Sequence, residues 1–312
     1  MLFRRESFIF ILLLVSNSAF AQQEGRIIDR SVYSFPSWDS AKETTSIEKR
    51  YATKDEYVSA VKDGQYVFEK IRYNSDDIEV VAYFYGPKKI SKAKRPVIVF
   101  NRGSYIRGDI APELLPMFHR LAKAGFTIVA PMYRGSDGAK GHDEMGGADL
   151  NDLMNVIGLI NGLKSVDAQN VFLYGESRGG MMVFQAIRDG FPARAAATFG
   201  GFTDLTPMTT SEQGKAMIEA IWPDFENRRI QIITRRSAIQ WPEKINIPLL
   251  LMHGSNDGTI SPTHTLKFAN GLAEAQKEYG VIIFPGGKHV LKKHRIERDH
   301  QTVQFFRKYM VE

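Results

Sequence analysis

Short, almost fully apolar runs recur along this chain, and they constrain its fold more than any other feature. Strands that are apolar on both faces are typical of a parallel sheet covered by helices on both sides. The runs occupy residues 97–100, 127–130, 171–174, 195–199, 249–252 and 281–284. Segments with helical patterns separate them, at residues 110–124, 148–163, 181–188, 262–278 and 296–309. We therefore predict an α/β fold with a mostly parallel, doubly wound sheet.

The segments around this core define the predicted domain organisation. Residues 66–73 and 78–85 are rich in Val, Tyr, Phe and Ile and read as an antiparallel hairpin that enters the sheet. Residues 22–62 are polar and lack a sustained period, so they form an N-terminal extension that packs on the 63–312 domain or is partly disordered. Residues 200–248 interrupt the alternation as a helical insertion, either a partial lid over the carboxyl edge of the sheet or a peripheral decoration.

Residues 1–21 have the pattern of a secretory signal peptide. Two arginines, at positions 4 and 5, precede the apolar run 8–15, and Ala19-Phe20-Ala21 has the form of a cleavage site. The run is too short for a permanent membrane anchor, which is the competing interpretation. The chain has no cysteine, hence no disulfide and no lipid-anchoring thiol. The sequence predicts a periplasmic or secreted protein, cleaved after Ala21 and without a stable membrane anchor.

The charge balance of the chain is mildly basic, with a net charge of +6. No stripe of lysine and arginine is interleaved with aromatic residues, so the sequence does not indicate a nucleic-acid partner. One local cluster stands out, and it is either a solvated helix face or an attractor for anionic substrates. It consists of Lys288, Lys292, Lys293, Arg295 and Arg298.

A serine lies at the centre of the Gly175-Glu176-Ser177-Arg178-Gly179-Gly180 stretch, directly after the apolar run 171–174. A G-x-S-x-G motif between a strand and a helix holds the serine on a sharp, strained turn, and its glycines allow the strand and helix to pass closely. The backbone N–H after the serine then points to where an oxyanion would form. The motif predicts that Ser177 is a nucleophile and that Arg178 supplies one oxyanion donor.

A serine nucleophile needs a general base, and that base needs a carboxylate to orient it. In this topology the acid and then the histidine follow on loops after later strands. Asp257 and His289 each come five residues after the end of an apolar run, at the same sheet edge as Ser177. His294 is the rival base, but the glycines that precede His289 favour the latter. We expect His253 to brace the acid loop.

The loop after residue 100 is expected to complete the oxyanion hole. The second donor is a backbone N–H of Arg102 or Gly103, or the side-chain amide of Asn101. A metal site is conceivable at the consecutive residues 142–144, His-Asp-Glu, but three adjacent residues seldom converge on one ion. We predict a site that needs neither a metal nor an organic cofactor.

The ordered set of motifs resembles the catalytic domain of prolyl oligopeptidase-type serine hydrolases in the α/β-hydrolase superfamily, over roughly residues 66–309. The motifs are Tyr133-Arg134-Gly135-Ser136, Asp149 with Asp152, the 175–180 turn, the 236–239 segment before Ile247-Pro248, and His253-Gly254-x-x-Asp257. By this resemblance Ser177, Asp257 and His289 are nucleophile, acid and base of an α/β-hydrolase fold.

The chain departs from the family pattern in two ways, of which the first bears on its substrate and the second on the oxyanion hole. Family members usually carry a β-propeller ahead of the hydrolase domain, and the residues that follow the predicted signal are too few to form one. Asn101 stands where the family often has a tyrosine or histidine. The resemblance implies cleavage of small peptides through an acyl-enzyme, whereas the missing propeller favours a carboxylesterase acting on small esters. A non-catalytic binding protein with the same fold is the alternative from a different class.

Overall fold

The computed structural model describes residues 24–50, 52–105 and 108–312, and the signal peptide predicted at residues 1–21 lies outside them. The described residues form a nine-stranded sheet in the order β1-β2-β3-β5-β4-β6-β7-β8-β9. The strands are β1 (Ile27–Val32), β2 (Tyr66–Ser75), β3 (Ile78–Pro87), β4 (Arg95–Asn101), β5 (Thr127–Pro131), β6 (Val166–Glu176), β7 (Ala195–Phe199), β8 (Leu249–Gly254) and β9 (Tyr279–Phe284).

The sheet changes from antiparallel to parallel at β3. Strands β1, β2 and β3 pair antiparallel, and β3 pairs antiparallel with β5. All pairs from β5 through β9 are parallel. The β2–β3 turn consists of Asp76 and Asp77, whose φ angles of 49° and 62° are those that a tight hairpin turn requires. The predicted fold class, a mostly parallel sheet with an N-terminal antiparallel hairpin, is therefore confirmed.

Helices cover both faces of the sheet. They are α1 (Trp38–Thr44), α2 (Ile47–Arg50), α3 (Lys54–Lys62), α4 (Ala111–Lys123), α5 (Asp149–Met154), α6 (Val156–Gly162), α7 (Arg178–Arg188), α8 (Glu212–Ile221), α9 (Phe225–Arg236), α10 (Thr263–Glu274) and α11 (Arg295–Lys308). The single helix predicted at residues 148–163 is two short helices that meet at Asn155. None of the helices in the described ranges is long and apolar enough to cross a membrane.

Two hydrophobic cores lie on opposite faces of the sheet, and β4 shows how the apolar runs serve both. Val97 and Val99 belong to the core under α5–α10, whereas Ile98 and Phe100 belong to the core under α1–α4 and α11. Successive side chains of a strand point to opposite faces, so a strand with two covered faces buries the side chains of both and is mostly apolar. Burying each such side chain stabilises the fold by about 1.5–3 kcal/mol.

The segment predicted as an N-terminal extension contributes an edge strand and three helices. Strand β1 pairs with β2, and α3 begins with a capping box between Thr53 and Glu56. The carboxylate of Glu56 also accepts a hydrogen bond from Arg295 Nε at 3.0 Å, which links α3 to α11. These helices cover part of the second core, where Trp38 and Tyr57 are buried.

The insertion at residues 200–248 contains α8 and α9, and it packs against the loop that precedes α5. Trp222 Nε1 donates to the carbonyl oxygen of Glu144 at 3.0 Å, and Arg236 Nε donates to that of Met145 at 2.7 Å. Ile232 of α9 is buried in the core on this side of the sheet. The helical part of the insertion thus packs on the face of the sheet that α7 covers. The first residues of the insertion lie beside the end of β7.

Candidate active site

Ser177 occupies a strained turn between the end of β6 and the start of α7. Its φ of 54° and ψ of −119° lie in a region that L-residues rarely adopt, and such a conformation costs on the order of 1–3 kcal/mol. Two backbone hydrogen bonds hold it: the Ser177 N–H donates to Phe199 O at 3.0 Å, and the Phe202 N–H donates to Ser177 O at 3.2 Å. The turn is therefore fixed by the last residue of β7 and by the loop after it, and the hydroxyl is presented at the carboxyl edge of the sheet.

The glycines on either side of the serine allow a very close backbone approach. A Cβ on Gly175 would lie 2.5 Å from Gly179 O, and a Cβ on Gly179 would lie 1.9 Å from Asn101 O. No real side chain tolerates such distances, so helix α7 can begin this close to β4 and β6 only with glycine at both positions. This is the physical basis of the G-x-S-x-G spacing.

The structure brings Ser177, His289 and Asp257 together in one chain of hydrogen bonds. His289 Nε2 lies 2.9 Å from Ser177 Oγ, and His289 Nδ1 lies 2.8 Å from Asp257 Oδ2. The ionised carboxylate can only accept, so Nδ1 carries the proton and Nε2 is free to accept one from the serine. The acid is completely buried at its side chain, whereas the side chain of His289 remains 15% exposed. The imidazole is thus accessible from solvent, whereas the carboxylate is not.

The Asp257 carboxylate is also held by a second histidine. His253 Nε2 lies 3.0 Å from Asp257 Oδ2 and 2.9 Å from Ile260 O, and both neighbours are acceptors, so Nε2 must carry the proton. His253 Nδ1 lies 2.8 Å from the Thr265 hydroxyl, which can donate to it.

Burial opposes ionisation of Asp257, but the surrounding donors more than offset it. Its Oδ1 accepts from the backbone N–H groups of Thr259 and Ile260 at 2.8 and 3.0 Å. Together with hydrogen bonds from His253 and His289, these contacts hold the pKa of Asp257 well below its ordinary value. The carboxylate therefore stays charged and in one orientation, as a group that orients an imidazole must.

The residue after the serine, Arg178, turns its side chain into the protein. Its guanidinium makes a bidentate pair with Asp143 at 2.7 Å, and it lies 2.6 Å from Asp149 Oδ2. A further bond runs from Nη1 to Ser104 O at 3.0 Å, and the group stacks 4.8 Å above the Tyr133 ring. Burial would lower the pKa of Arg178, but the two carboxylates raise it above its ordinary value. This cluster anchors the first turn of α7, which supplies the backbone N–H of Arg178.

The loop after β4 lies against the serine at Gly103. A Cβ added there would be 3.2 Å from Ser177 Cβ. The Asn101 amide, by contrast, is engaged in the interior: Nδ2 donates to Val99 O at 3.1 Å, and Oδ1 accepts from the Tyr133 hydroxyl at 3.0 Å. The backbone at Gly103 therefore lies against Ser177, whereas both polar atoms of the Asn101 side chain are engaged elsewhere.

Arg102 is a buried brace for this loop, a role that the sequence did not suggest. Its guanidinium donates to the carbonyl oxygens of Gly103, Ser104 and Tyr105 at 2.7–3.2 Å, and to Met132 O at 2.8 Å from Nη2. The side chain is 1% exposed. An arginine next to a candidate oxyanion donor was the available signal, but sequence alone does not tell a buried brace from an exposed charge.

The remaining candidates lie away from this centre. The ring of His294, the rival base, packs 5.2 Å from that of Phe284. Of the predicted basic cluster, Arg295 pairs with Glu56, and Arg298 is fully buried against Asp299. These basic residues therefore do not form one solvated face.

The consecutive residues His-Asp-Glu at 142–144 do not form a metal cage either. Asp143 is committed to Arg178, and Glu144 Oε2 accepts from the Ala148 N–H at 2.9 Å. Nowhere in the described part of the chain do three or more His, Asp or Glu side chains come together as a set that could hold an ion.

Comparison with known proteins finds relatives over about half of the chain. The uncharacterized peptidase YtmA of Bacillus subtilis (strain 168) is 27% identical over 178 residues, which cover 55% of this chain and 69% of that protein. Acylamino-acid-releasing enzyme 1 of Oryza sativa subsp. japonica is 26% identical over 194 residues, or 55% of this chain and 24% of the enzyme. The chain thus matches most of one relative and a minor part of the other.

Solved structures share the fold over a larger part of the chain. A puromycin-hydrolyzing peptidase of Mycobacterium tuberculosis superposes with a TM-score of 0.67 at 20% identity, covering 80% of this chain and 40% of that one. The acylaminoacyl peptidase of Pyrococcus horikoshii gives a TM-score of 0.66 at 24% identity, covering 80% and 42%. The chain therefore spans less than half the length of either solved protein, and the likeness shows the fold.

The family follows from a match to a sequence model of the whole group. Residues 116–312, well over half of the chain, match the model of the prolyl oligopeptidase family. This span includes the Ser177 turn and the loops of Asp257 and His289. The resemblance noted from the motifs is confirmed: the chain belongs to the prolyl oligopeptidase family of serine hydrolases.

Proposed function

We propose that this chain is an exported serine hydrolase that cleaves acyl bonds of small peptides through an acyl-enzyme. The observation that carries the proposal is the continuous hydrogen-bonded path from Ser177 Oγ through His289 to the buried carboxylate of Asp257. Serine is a weak nucleophile at neutral pH, and this arrangement supplies both a base and a group that orients it.

The chemistry follows from the direction of each hydrogen bond. His289 Nε2 takes the hydroxyl proton as Ser177 Oγ attacks the carbonyl carbon, and Asp257 stabilises the imidazolium that forms. The oxyanion accepts from the backbone N–H of Arg178, with the Gly103 N–H as the second donor. The imidazolium then protonates the leaving amine, which departs and leaves the acyl group on Ser177. Water, deprotonated by His289, attacks the carbonyl carbon of this ester. The imidazolium returns the proton to Ser177 Oγ as the acyl C–O bond breaks, which releases the carboxylic acid and restores the free serine.

Peptides are favoured over other acyl substrates by the relatives of the chain. Acylaminoacyl and puromycin-hydrolyzing peptidases share its fold, and the family model bears the name of an oligopeptidase. Because the chain spans only part of those proteins, we infer the bond type from them and not the side-chain preference. A carboxylesterase acting on small esters uses the same residues and is the outcome that substrate assays must separate.

Covalent labelling tests the nucleophile directly. A fluorophosphonate probe should label the purified protein once, and Ser177→Ala should abolish the label. Ser91→Ala, in an exposed loop, is the matched control and should label like the wild type. Absence of labelling in the wild type, or its persistence in Ser177→Ala, contradicts the proposal and favours a binding protein. Labelling with turnover of p-nitrophenyl esters but of no peptide anilide identifies a carboxylesterase.

Export is a separate part of the proposal, supported by the signal-like residues 1–21. Expression of the full-length gene product in a bacterial host should yield a periplasmic or secreted protein whose N-terminus is Gln22. Intact-mass measurement decides this, because cleavage removes a defined mass. A protein that retains Met1 and fractionates with the cytosol contradicts export and leaves the proposed chemistry unaffected.

A further inference from the structure

A cavity of about 260 Å³ lies between α9 and the loop that leads into α5. Its charged lining consists of three arginines and one carboxylate, so positive charge is in excess. The charged and amide-bearing residues of the lining are Arg228, Arg235, Arg236, Glu144, Gln231 and Asn151. None of them takes part in the Ser177–His289–Asp257 path.

Arg236 is a buried cation that makes no direct ion pair among the residues that the structure describes. It is 4% exposed, and its three hydrogen bonds go to the carbonyl oxygens of Met145, Glu144 and Ile232. Within the described ranges no carboxylate oxygen lies within 4.0 Å of its guanidinium, as an ion pair requires. A guanidinium has five N–H donors, so two are left after these bonds. Burial lowers the pKa of Arg236 to about 10, because the more distant carboxylates of Asp149 and Glu144 offset only part of the cost of burying its charge.

The other two arginines keep their charge accessible at the mouth of the cavity. Arg235 is 45% exposed at its side chain, and its nearest carboxylate, Asp189, is 4.0 Å away and already engaged by Arg188 in two short hydrogen bonds. Arg228 pairs with Asp224 at the surface, where both side chains are half exposed. Such exposed pairs contribute little and are readily exchanged for a better anion.

The single carboxylate of the lining does not neutralise the three arginines. Glu144 Oε2 accepts a hydrogen bond from the Ala148 N–H at 2.9 Å, which orients it toward its own loop. Trp222 packs its ring 4.7 Å from the Arg236 guanidinium and closes one side of the cavity. The site thus combines a buried, partly unused guanidinium, two adaptable arginines and an aromatic wall.

We infer that this cavity binds a phosphate group, separate from the acyl-cleaving site. Tetrahedral oxyanions accept several charge-assisted hydrogen bonds at once, and arginine forks match them better than lysine does. A water molecule occupies about 30 Å³ in the liquid, so the cavity has room for phosphate and for an organic group attached to it. The ligand is therefore free phosphate or a phosphate monoester, held by the same three arginines.

Calorimetric titration of the full-length mature protein tests the site, with inorganic phosphate as the probe and sodium chloride added to keep the ionic strength constant. The wild type should bind phosphate saturably. Arg235→Gln and Arg228→Gln should each weaken binding about tenfold or more, since each loses a charge-assisted contact. Arg229→Gln is the matched control, because Arg229 lies on the same helix, is also half exposed, and lines a different cavity. It should bind phosphate as the wild type does.

O-Phosphoserine and serine distinguish the two sources of the phosphate group. Tighter binding of O-phosphoserine than of phosphate, with no binding of serine, indicates a monoester, and equal binding of the two phosphates indicates free phosphate. Phosphate binding that does not saturate, or that is unchanged in both Arg235→Gln and Arg228→Gln, overturns the inference. So does an equal loss in Arg229→Gln, which would reflect general charge. These measurements do not depend on hydrolysis, so they stand or fall independently of the proposed catalysis.

Discussion

Replacing Asp257 by asparagine tests the hydrogen-bond logic of the site, because it removes the charge and keeps the shape. The carbonyl oxygen of asparagine can still accept from the Thr259 and Ile260 N–H groups at 2.8 and 3.0 Å. The amide NH₂ then faces His289 Nδ1, 2.8 Å from the present oxygen, and it offers a donor where an acceptor is needed. His289 can satisfy this contact only by moving its proton from Nδ1 to Nε2.

The tautomer change determines the size of the expected effect. A proton on Nε2 would point at Ser177 Oγ, 2.9 Å away, so the imidazole could no longer accept the serine proton. The same change in the Ser-His-Asp triad of serine proteases lowers kcat about 10⁴-fold, which corresponds to about 5.5 kcal/mol of barrier. His253 Nε2–H would also face the amide NH₂ at 3.0 Å but would keep Ile260 O as an acceptor at 2.9 Å. The expected loss of folding free energy is therefore about 1 kcal/mol, the low end of the cost of disturbing a buried hydrogen bond.

Kinetics and unfolding of the same preparations measure both effects. Turnover of an activated p-nitrophenyl ester gives kcat, and urea unfolding followed by circular dichroism gives the free energy of unfolding. Asp55→Asn, at an exposed position in α3, is the matched control and should change stability by no more than about 0.5 kcal/mol. If Asp257→Asn keeps kcat within tenfold of the wild type, the assigned tautomer and the role of this carboxylate are both wrong.

Three further predictions concern the residues that support the site. Gly179→Ala should destabilise the fold by about 3 kcal/mol or more, because its Cβ would lie 1.9 Å from Asn101 O; a thermal midpoint equal to that of the wild type would refute the close approach. His253→Phe should lower kcat about 10- to 100-fold with little change in KM, because the hydrogen bond from His253 to Asp257 is lost. His253→Gln retains an N–H near Asp257 and should recover part of the lost kcat. Equal kcat values in the two variants argue against a contribution of this hydrogen bond. Asp149→Asn breaks a buried ion pair with Arg178 and should cost about 3–5 kcal/mol near neutral pH in urea unfolding. Burial opposes ionisation of Asp149, but Arg178 and the N–H groups of Gly146 and Gly147 lower its pKa below the ordinary value. The stability from this ion pair is therefore present above about pH 4 and is lost as the pH falls. If the difference in unfolding free energy between wild type and variant does not narrow below about pH 4, the assigned direction of the pKa shift is wrong.

Much of the fold is predictable because strands that are covered on both faces appear in the sequence as short apolar runs. Runs such as 97–100 and 171–174 consist of aliphatic and aromatic residues, a pattern typical of a strand between two helical layers. The limits of the helices were less predictable. Residues 148–163 carry one helical pattern but form α5 and α6, which meet at Asn155, where the side chain bonds to Ser75 of the neighbouring hairpin. Such a tertiary contact leaves no mark in the local periodicity.

The candidate site divides in the same way. The turn at Ser177 follows from glycine spacing, and topology allows Asp257 and His289 to be selected from the loops after later strands. The sequence shows that an arginine follows Ser177 but not what surrounds it. In the structure, Arg178 is the centre of a buried cluster with Asp143 and Asp149. The positions of these two carboxylates in the sequence do not show that both contact Arg178 behind the Ser177 turn, because the geometry of the loop before α5 determines the contact.

The amino-acid sequence by itself determined the sheet class and the serine turn, and it predicted the order of acid and base, since each depends on residues that are close together or on a known strand order. Only the tertiary structure decided which polar groups share partners. Two histidines hold the carboxylate of Asp257, and Arg102 braces the loop beside the serine. Arg236 is buried with its hydrogen bonds on carbonyl oxygens and makes no direct ion pair within the described ranges. The reason is physical: a buried charge is tolerable or costly according to the atoms around it, and those atoms come from distant parts of the chain.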